Sequence, residues 1–391
     1  MKSKLLTLGA AMAFACGLAQ AEEAGAKYKP GKGYTWETED GANKINIGGR
    51  IQARYTNENY DSARGKDDKS EFEAKRVRVH FKGHVFNDVK YKFQADFGDG
   101  RSGDNLKDAV LTYARIPEAQ ISAGQFKTRL GHQEITSSGK QQLVDRNIAT
   151  REFDVGRDVG VMLHGEVADK KFEYNLGVFN GEGEGGANKN EGHLLVGRVS
   201  FQPLGAFGYS EGDLKRGDHR IIFSLAGATN NDLIGSFADK GDADGDLDTS
   251  ESVGTLTDDD TYVATFGYRG NGIYLMAEHF WRDSTMTSLF SGLDPALANT
   301  SSSVDSDGWY FQLGYMFPQD WEIAARYALV DPDDSVADDD ETEFILGFNK
   351  YFMGVGHSLK FSVDFSWLEE EIGPGSSLDD FRIRAQGQIV F

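Results

Sequence analysis

Cysteine is almost absent from this sequence, and the one residue of this type, Cys16, lies near the amino terminus. Residues 1–21 start with two lysines, continue with an apolar run and end in Ala19-Gln20-Ala21, which is the pattern of a cleaved secretory signal peptide. We expect the mature chain to start at Glu22 and to carry no thiol. Disulfides, thiolate metal sites and cysteine nucleophiles are thereby excluded.

Long hydrophobic runs are also missing from the predicted mature chain. After residue 21 no stretch reaches the roughly 18 consecutive apolar residues of a membrane-spanning helix. The sequence has neither an H-E-x-x-H metal pair nor a P-loop. We therefore expect no helical membrane protein, no enzyme and no cofactor. The net charge of −21 argues against a nucleic-acid partner, since phosphate contacts need a basic surface.

What the chain has instead is a strict alternation of apolar and polar residues. Residues 44–56 read K-I-N-I-G-G-R-I-Q-A-R-Y-T, which puts Ile51 and Tyr55 on one face of a strand and Arg50 and Arg54 on the other. A soluble sandwich would have to cover many such apolar faces, whereas a closed barrel in lipid exposes them to hydrocarbon and keeps a wet interior. We therefore predict an all-β transmembrane barrel.

Sixteen segments alternate in this way, and all seven prolines fall outside them, where no ladder hydrogen bond is lost. An even number of antiparallel strands is typical of outer-membrane barrels. We expect one barrel domain over residues 44–391, preceded by a periplasmic tail over residues 22–43. The predicted strands are 44–56, 74–86, 89–97, 106–116, 119–127, 158–167, 171–180, 193–201, 219–229, 260–269, 272–281, 308–317, 321–330, 342–352, 358–367 and 380–391.

One long stretch, residues 127–157, breaks the alternation after the fifth predicted strand and carries charges of both signs. Connections of this length are uncommon in compact domains unless they are functional. We predict that this stretch folds into the barrel and narrows it. A plain external loop is the alternative.

Acidic residues are concentrated in three segments, 237–260, 331–343 and 368–380, which we place outside the barrel. A calcium loop is the weaker interpretation of four of these acids, because Lys240 stands where the first ligand belongs and no helices flank them. A solvated acidic loop, bridged to lipopolysaccharide by divalent cations, is the other interpretation, so we expect no resident metal. The four acids are Asp242, Asp244, Asp246 and Asp248.

Strand parity puts basic side chains on the face that would line the interior. Rings of arginine and lysine are the usual device of anion and phosphate pores, because charges in a narrow channel concentrate counter-ions. The alternative is that these cations pair with lumenal acids such as Asp96, Asp108, Glu173 and Glu322. The predicted lumenal cations are Arg50, Arg54, Arg76, Arg78, Lys82, Lys90, Lys92, Arg382 and Arg384.

The chain also carries a set of short motifs that are specific in combination. They are G-G-R-I-Q from Gly48, K-R-V-R from Lys75, V-F-N-D-V-K-Y-K-F-Q-A-D-F from Val85, L-K-D-A from Leu106, G-Q-F-K-T from Gly124, E-I-T-S-S from Glu134, G-V-F-N-G from Gly177 and V-G-R-V-S from Val196. Together they resemble the phosphate-selective porin O and P family of Gram-negative bacteria. The resemblance is strongest from Gly48 to Gly205.

That resemblance implies a trimeric, sixteen-stranded outer-membrane porin with an arginine ladder and a constriction of Arg and Lys faced by an Asp. By position it assigns Arg50, Arg76, Asp96 and Lys127 to the narrowest ring. Arg129 departs from the family pattern, in which many relatives have proline, and the acidic exterior would repel anions at the mouth.

The predicted function is a passive diffusion channel in the outer membrane of a Gram-negative bacterium. Its expected partners are small inorganic ions, hydrophilic solutes, lipopolysaccharide and further copies of the chain. The basic interior indicates a preference for anions, with phosphate as one candidate. The alternatives are an outer-membrane adhesin or receptor that uses the acidic loops, and a barrel enzyme with its reactive groups at the outer rim.

Overall fold

The computed structural model describes residues 25–98, 105–188, 190–234, 253–290 and 300–391. The predicted signal peptide and the four aspartates of the calcium-loop interpretation lie outside these ranges. Among the described residues, no helix is both long and apolar enough to cross a bilayer.

Sixteen antiparallel strands close into a barrel, and two short strands precede it. The short strands are β1 (Lys27–Lys29) and β2 (Gly33–Glu37), and the barrel strands are β3 (Lys44–Asn59), β4 (Lys69–Val85), β5 (Val89–Asp96), β6 (Leu106–Tyr113), β7 (Gln120–Lys127), β8 (Arg157–Val167), β9 (Phe172–Phe179), β10 (Leu194–Phe201), β11 (Arg220–Ile234), β12 (Val253–Gly270), β13 (Ile273–Phe290), β14 (Thr300–Met316), β15 (Trp321–Asp331), β16 (Glu341–Tyr351), β17 (Leu359–Glu371) and β18 (Ser377–Val390). Each barrel strand pairs with its neighbours in chain order, and the ring closes between β18 and β3. The sixteen predicted strands are confirmed. At the end opposite the chain termini, β4 and β11 to β14 extend several residues beyond the predicted bounds.

The two short strands form a hairpin within the predicted tail. Its second strand pairs with the start of β3, where Tyr34 lies opposite Ile47, on the edge of β3 that β18 occupies farther along. The Asn46 side chain donates to the backbone oxygens of Lys32 and Tyr34 at 2.7 and 3.1 Å. The hairpin therefore extends the wall beyond the end of the last strand.

Burial alternates along the strands as the sequence pattern predicts. In β3, Gln52 is buried towards the interior, whereas its neighbour Ile51 is 41% exposed on the outside. The outward faces carry a band of exposed apolar side chains, as a barrel in lipid requires. One row of it runs across β9 to β12, where Phe172, Phe201, Phe223 and Phe266 lie directly opposite one another on successive strands.

The long stretch after the fifth barrel strand folds into the barrel, as predicted. Residues 128–156, called the inward loop below, contain two short helices, α1 (His132–Ile135) and α2 (Ile148–Phe153). Phe153 is fully buried and stacks on Phe280 of β13, with 5.7 Å between ring centres. Apolar packing of this kind ties the loop to the barrel wall.

A second segment, residues 202–219 between β10 and β11, also enters the barrel, from the end that carries the chain termini. This was not predicted. Glu211 is buried there, its backbone N–H donates to Lys140 O at 2.9 Å, and its carboxylate accepts from Gln142 N at 2.7 Å. The two inward segments therefore meet inside the barrel.

Residues 208–212 of this segment, G-Y-S-E-G, match the G-x-S-x-G pattern of a serine nucleophile elbow. No helix follows the serine, so the strand–turn–helix arrangement of such an elbow is missing.

Candidate functional site

The inward loop is anchored by carboxylates on one wall, formed by the inward-facing residues of β13 to β17 and called the loop-bearing wall below. Glu278 accepts hydrogen bonds from the backbone N–H groups of His132 and Gln133 at 2.6 and 2.9 Å, at the start of α1. Amides at a helix start have no intrahelical partner, so a carboxylate stabilises them. Thr265 and Tyr310 donate to the same carboxylate at 3.0 and 2.8 Å.

Glu322 is a second buried carboxylate of this wall, and its partners are neutral. It accepts from the side-chain amides of Gln142 and Asn349 at 2.7 and 2.9 Å and from the hydroxyl of Tyr351 at 2.5 Å. A buried charge that is satisfied only by neutral donors is costly to disturb, because removing a donor leaves a desolvated oxygen. Glu322 thus holds the middle of the loop.

Asp145, at the tip of the inward loop, is bound by three arginines. Arg54 contacts both of its carboxylate oxygens at 2.7 and 3.1 Å, Arg76 contacts it at 3.1 Å, and Arg384 at 3.2 Å. Burial alone would raise the pKa of Asp145, but the three guanidinium groups hold that pKa well below its usual range. One loop carboxylate therefore pairs with cations from β3, β4 and β18 and offsets part of their charge.

The other side of the inward loop borders a cavity of about 290 Å³. The inward-facing residues of β4 to β8 that bound it are called the open wall below. Among the residues that the structure describes, Asp108 is the one carboxylate in its lining, and the hydroxyls of Ser137 and Ser138 supply neutral donors. The cations in the lining are Arg78, Lys92, Lys127, Arg129, Arg146 and Arg157.

Each of these six cations has an acidic partner, but the acids are fewer. Burial would raise the pKa of Glu134, yet Lys127 and Arg146 hold that pKa below its ordinary value. Counting one formal charge for each of these described groups, six cations face four carboxylates, which leaves a formal surplus of two positive charges around the cavity. The pairs are Arg78–Asp96 at 2.7 Å, Lys92–Asp108 at 2.7 Å, Arg157–Asp108 at 3.1 Å, Lys127–Glu134 at 3.3 Å, Arg146–Glu134 at 2.7 Å and Arg129–Glu173.

Some of the residues that the sequence places in the lumen line the cavity, and others do not. Arg78, Lys92 and Lys127 line the cavity. Arg50, which the family resemblance assigns to the narrowest ring, is buried and donates to Ser137 Oγ and Ser138 Oγ at 3.2 and 2.9 Å. It therefore positions two hydroxyls of the cavity lining.

The remaining predicted cations do not lie on this cavity. Arg54, Arg76 and Arg384 are occupied by Asp145, as described above. Arg382 pairs with Glu58 and Glu343 at 3.4 and 3.5 Å, and Lys90 donates to Gln120 Oε1 at 3.2 Å. Asp96 is bound to Arg78 and to the backbone N–H of Val77 at 3.0 Å.

Three cations of the cavity were not among the predicted lumenal residues: Arg129, Arg146 and Arg157. All three belong to the stretch 127–157, where the alternation stops, so strand parity could not assign them. The charge density of that stretch, together with its predicted inward fold, was the available signal. Asp108 and Glu173 were foreseen as pairing acids, and the structure shows both in ion pairs.

A smaller cavity of about 160 Å³ lies elsewhere against the inward loop and carries the opposite charge. Its charged lining consists of Asp154, Asp158, Asp259 and Arg282. Burial, and after it the charge of Glu134, raises the pKa of Asp154 to about 7, so this carboxyl is partly protonated near neutral pH. The two cavities therefore offer different charge to a solute.

Two acidic residues that the sequence analysis placed outside lie inside: Asp259, which lines the smaller cavity, and Glu343. Glu343 is 1% exposed and pairs with Arg326 at 2.9 Å, because β16 starts at Glu341 and turns Glu343 inward. Nearby acids lie at the surface, at the end of the barrel opposite the chain termini. Asp307, Asp331 and Asp334 bring one carboxylate oxygen each within 4.8 Å of one another there.

A closed sixteen-stranded barrel, apolar outside and polar inside, with a loop folded into its lumen, defines an outer-membrane porin. The chain belongs to the phosphate-selective porin O and P family, because the sequence model of that family matches residues 45–375. It is therefore a non-enzymatic channel protein of the Gram-negative outer membrane, built for small solutes.

Individual relatives are distant. An uncharacterised protein of Aquifex aeolicus (strain VF5) is 22% identical over 325 residues, which cover 76% of this chain and 71% of that protein. A loop L8 deletion mutant of OmpT, an outer membrane protein of Vibrio cholerae, has a TM-score of 0.58 at 14% identity and covers 89% of this chain and 99% of that one. An anion-selective porin from Comamonas acidovorans has a TM-score of 0.55 at 11% identity, with coverage of 89% and 99%. At these identities the structural likeness concerns the fold alone.

Proposed function

We propose that this porin conducts small anions in preference to cations, through the basic cavity beside the open wall. The observation that carries the proposal is the lining of that cavity, in which six cations face a single carboxylate. The family to which the chain belongs is named for phosphate selectivity, and one structural neighbour is described as an anion-selective porin. Phosphate is therefore the solute that we test first.

The surplus charge is sufficient to set a preference. One unit charge about 6 Å from a permeating ion contributes about 0.7 kcal/mol at the dielectric constant of water, and more in a confined space. Salt screens charges beyond about 8 Å at physiological ionic strength, so acids at the mouth act little on an ion inside the cavity. The acidic external segments therefore reduce anion capture at the mouth, while the charges of the cavity decide which ions pass.

The test is the reversal potential of the purified porin in planar bilayers across a KCl gradient, for wild type and for Lys92→Gln. Lys92 lines the cavity and keeps a 42% exposed side chain, so its loss changes charge with little effect on packing. We expect the chloride-to-potassium permeability ratio to fall roughly tenfold, because the lost charge weakens the attraction of chloride and relieves the repulsion of potassium by about 0.7 kcal/mol each. Lys170→Gln, in the exposed turn between β8 and β9, is the matched control and should leave the ratio unchanged.

A cation preference in wild type that Lys92→Gln does not alter would refute the proposal. Phosphate added to chloride solutions should reduce the current of wild type more than that of Lys92→Gln. Stable insertion without any conductance would instead favour the receptor or adhesin interpretation of the acidic loops.

We further propose that the porin assembles as a trimer. A trimer form of Vibrio cholerae OmpT is among the structural neighbours, with a TM-score of 0.56 at 12% identity. Light scattering of the detergent-solubilised protein, corrected for bound detergent, should give three chains per particle. A monomer mass would contradict this.

A further inference from the structure

An apolar groove lies on the outward face of β9 to β12. Two rows of directly opposed residues form it, and its volume is about 530 Å³. The row nearer the barrel centre is Leu176, Gly197, Gly227 and Tyr262, and the row nearer the external loops is Val178, Leu195, Thr229 and Asp260. The floor of the groove is thus a pair of neighbouring glycines.

Neither glycine is required by the backbone. Gly197 and Gly227 are not among the glycines with positive φ, so other residues can adopt their conformation. A Cβ on Gly197 would meet Leu176 Cδ2 at 3.4 Å, and one on Gly227 would meet the Tyr262 ring at 3.4 Å, both ordinary contacts. Glycine inside a strand costs roughly 0.5–1 kcal/mol relative to alanine. Its presence at both positions is therefore best explained by close approach of a ligand.

The groove has an apolar body and a polar outer end. Leu176 and Leu195 are 60% and 47% exposed, and the phenylalanine row described above lies four residues nearer the termini. At the outer end, Asp260 lies directly opposite Thr229 and Asp283, and Asp283 lies opposite Asp305. An amphiphile with its polar group towards the external loops and its chain towards the bilayer centre matches this polarity.

We propose that the groove binds one acyl chain of a lipopolysaccharide molecule in the outer leaflet. The chain lies over Gly197 and Gly227 between Leu176 and Leu195. The hydroxyl and amide N–H groups next to that chain donate to Asp260, which phospholipid esters could not do. This site faces lipid, so it does not depend on the ion preference proposed above.

The experiment uses the whole porin, refolded without lipid, incubated with purified lipid A in mild detergent and weighed intact by native mass spectrometry. We expect about one tightly retained lipid A per chain in wild type. In Gly197→Leu/Gly227→Leu the new side chains fill the groove and displace about two methylenes of the lipid, so retention should fall roughly tenfold. Gly387→Leu, on the outward face of β18 where no atom lies within 4 Å of a new Cβ, adds a leucine elsewhere on the wall and should retain lipid A as wild type does.

A second variant, Asp260→Asn, tests the polar end without changing the groove and should lower retention of lipid A but not of phosphatidylcholine, which has no hydroxyl or N–H donor. Circular dichroism and unchanged single-channel conductance verify that each variant is folded. Equal lipid A retention in wild type and in the double leucine variant would overturn the proposal. So would equal retention of phosphatidylcholine and lipid A by wild type, or dissociation of the oligomer by the leucines with lipid retention intact.

Discussion

The loop-bearing wall and the open wall use charge in different ways. On the loop-bearing wall, Glu278 and Glu322 are surrounded by donors from the inward loop and from their own strands, and none of their oxygens is left for a solute. On the open wall, Lys92 and Arg157 share Asp108 and border free space. The carboxylates of the loop-bearing wall hold the inward loop, whereas the open wall keeps a surplus of positive charge next to open space.

The difference shows why counting lumenal charges along the strands is a poor guide to selectivity. Arg54, Arg76 and Arg384 also project into the lumen, but Asp145 neutralises part of their charge and the loop covers them. A cation contributes to ion preference when it both lines open space and lacks a full counter-charge. The position of the inward loop decides which cations meet that condition.

The largest expected effect is a change in conductance caused by a substitution on the loop-bearing wall. Glu278→Ala removes the acceptor of four hydrogen bonds and leaves the N–H groups of His132 and Gln133 unpaired, which we expect to weaken docking of the loop by about 3–5 kcal/mol. Single-channel conductance should rise as the loop leaves the lumen. Glu166→Ala, an exposed carboxylate of β8 paired with Lys170, is the control. Conductance equal to wild type would show that Glu278 does not hold the loop.

A smaller effect is expected where the two walls meet. Asp145→Asn removes one negative charge from among three arginines, so the interior becomes more basic by one unit. The chloride-to-potassium permeability ratio should rise roughly threefold, less than the change expected for Lys92→Gln, because the loop covers these arginines and roughly twice the distance to the ion halves the effect of a charge. Asp379→Asn, exposed at the loop end of β18, should not change it. An unchanged ratio would mean that these arginines lie off the ion path.

The smallest effect concerns pH. The pKa of Asp154 is raised to about 7 in the docked loop and returns towards 3.8 when the loop undocks, so the docked state binds the proton more tightly. Docking is therefore favoured at acid pH and weakens as the pH rises through about 7. Because Asp154 is half-buried, we expect loop amides to exchange only about threefold to tenfold faster at pH 8 than at pH 6, after correction for intrinsic rates. Asp154→Asn should abolish the difference, and its persistence would assign the effect to another group.

The barrel could be predicted from sequence because its signal is local. Each strand repeats the same alternation, and a residue such as Ile51 must face lipid wherever its neighbours lie. The entry of residues 202–219 was missed because its signal is not local. Phe207 becomes buried because it packs against His132 of the inward loop and Tyr274 of β13. Glu211 becomes buried because the loop offers Lys140 and Gln142 as partners.

The candidate site was predicted in part for the same reason. The alternation of inward-facing and outward-facing residues identified Arg78 and Lys92, which project from strands into the lumen. It could not separate them from Arg54 and Arg76, since that distinction depends on where Asp145 docks. Glu343 was misplaced because it was counted with the acidic segment 331–343, although the predicted strand 342–352 already contained it.

The most direct test of the account is to ask on which side of the inward loop the ions pass. The predicted mature chain has no cysteine, so single cysteines can be placed at Val110, which lines the basic cavity, and at Ala324, which packs against Leu143 of the loop. A negatively charged thiol reagent added during bilayer recording should reduce the current of Val110→Cys and leave that of Ala324→Cys unchanged. Block of Ala324→Cys without block of Val110→Cys would contradict the account.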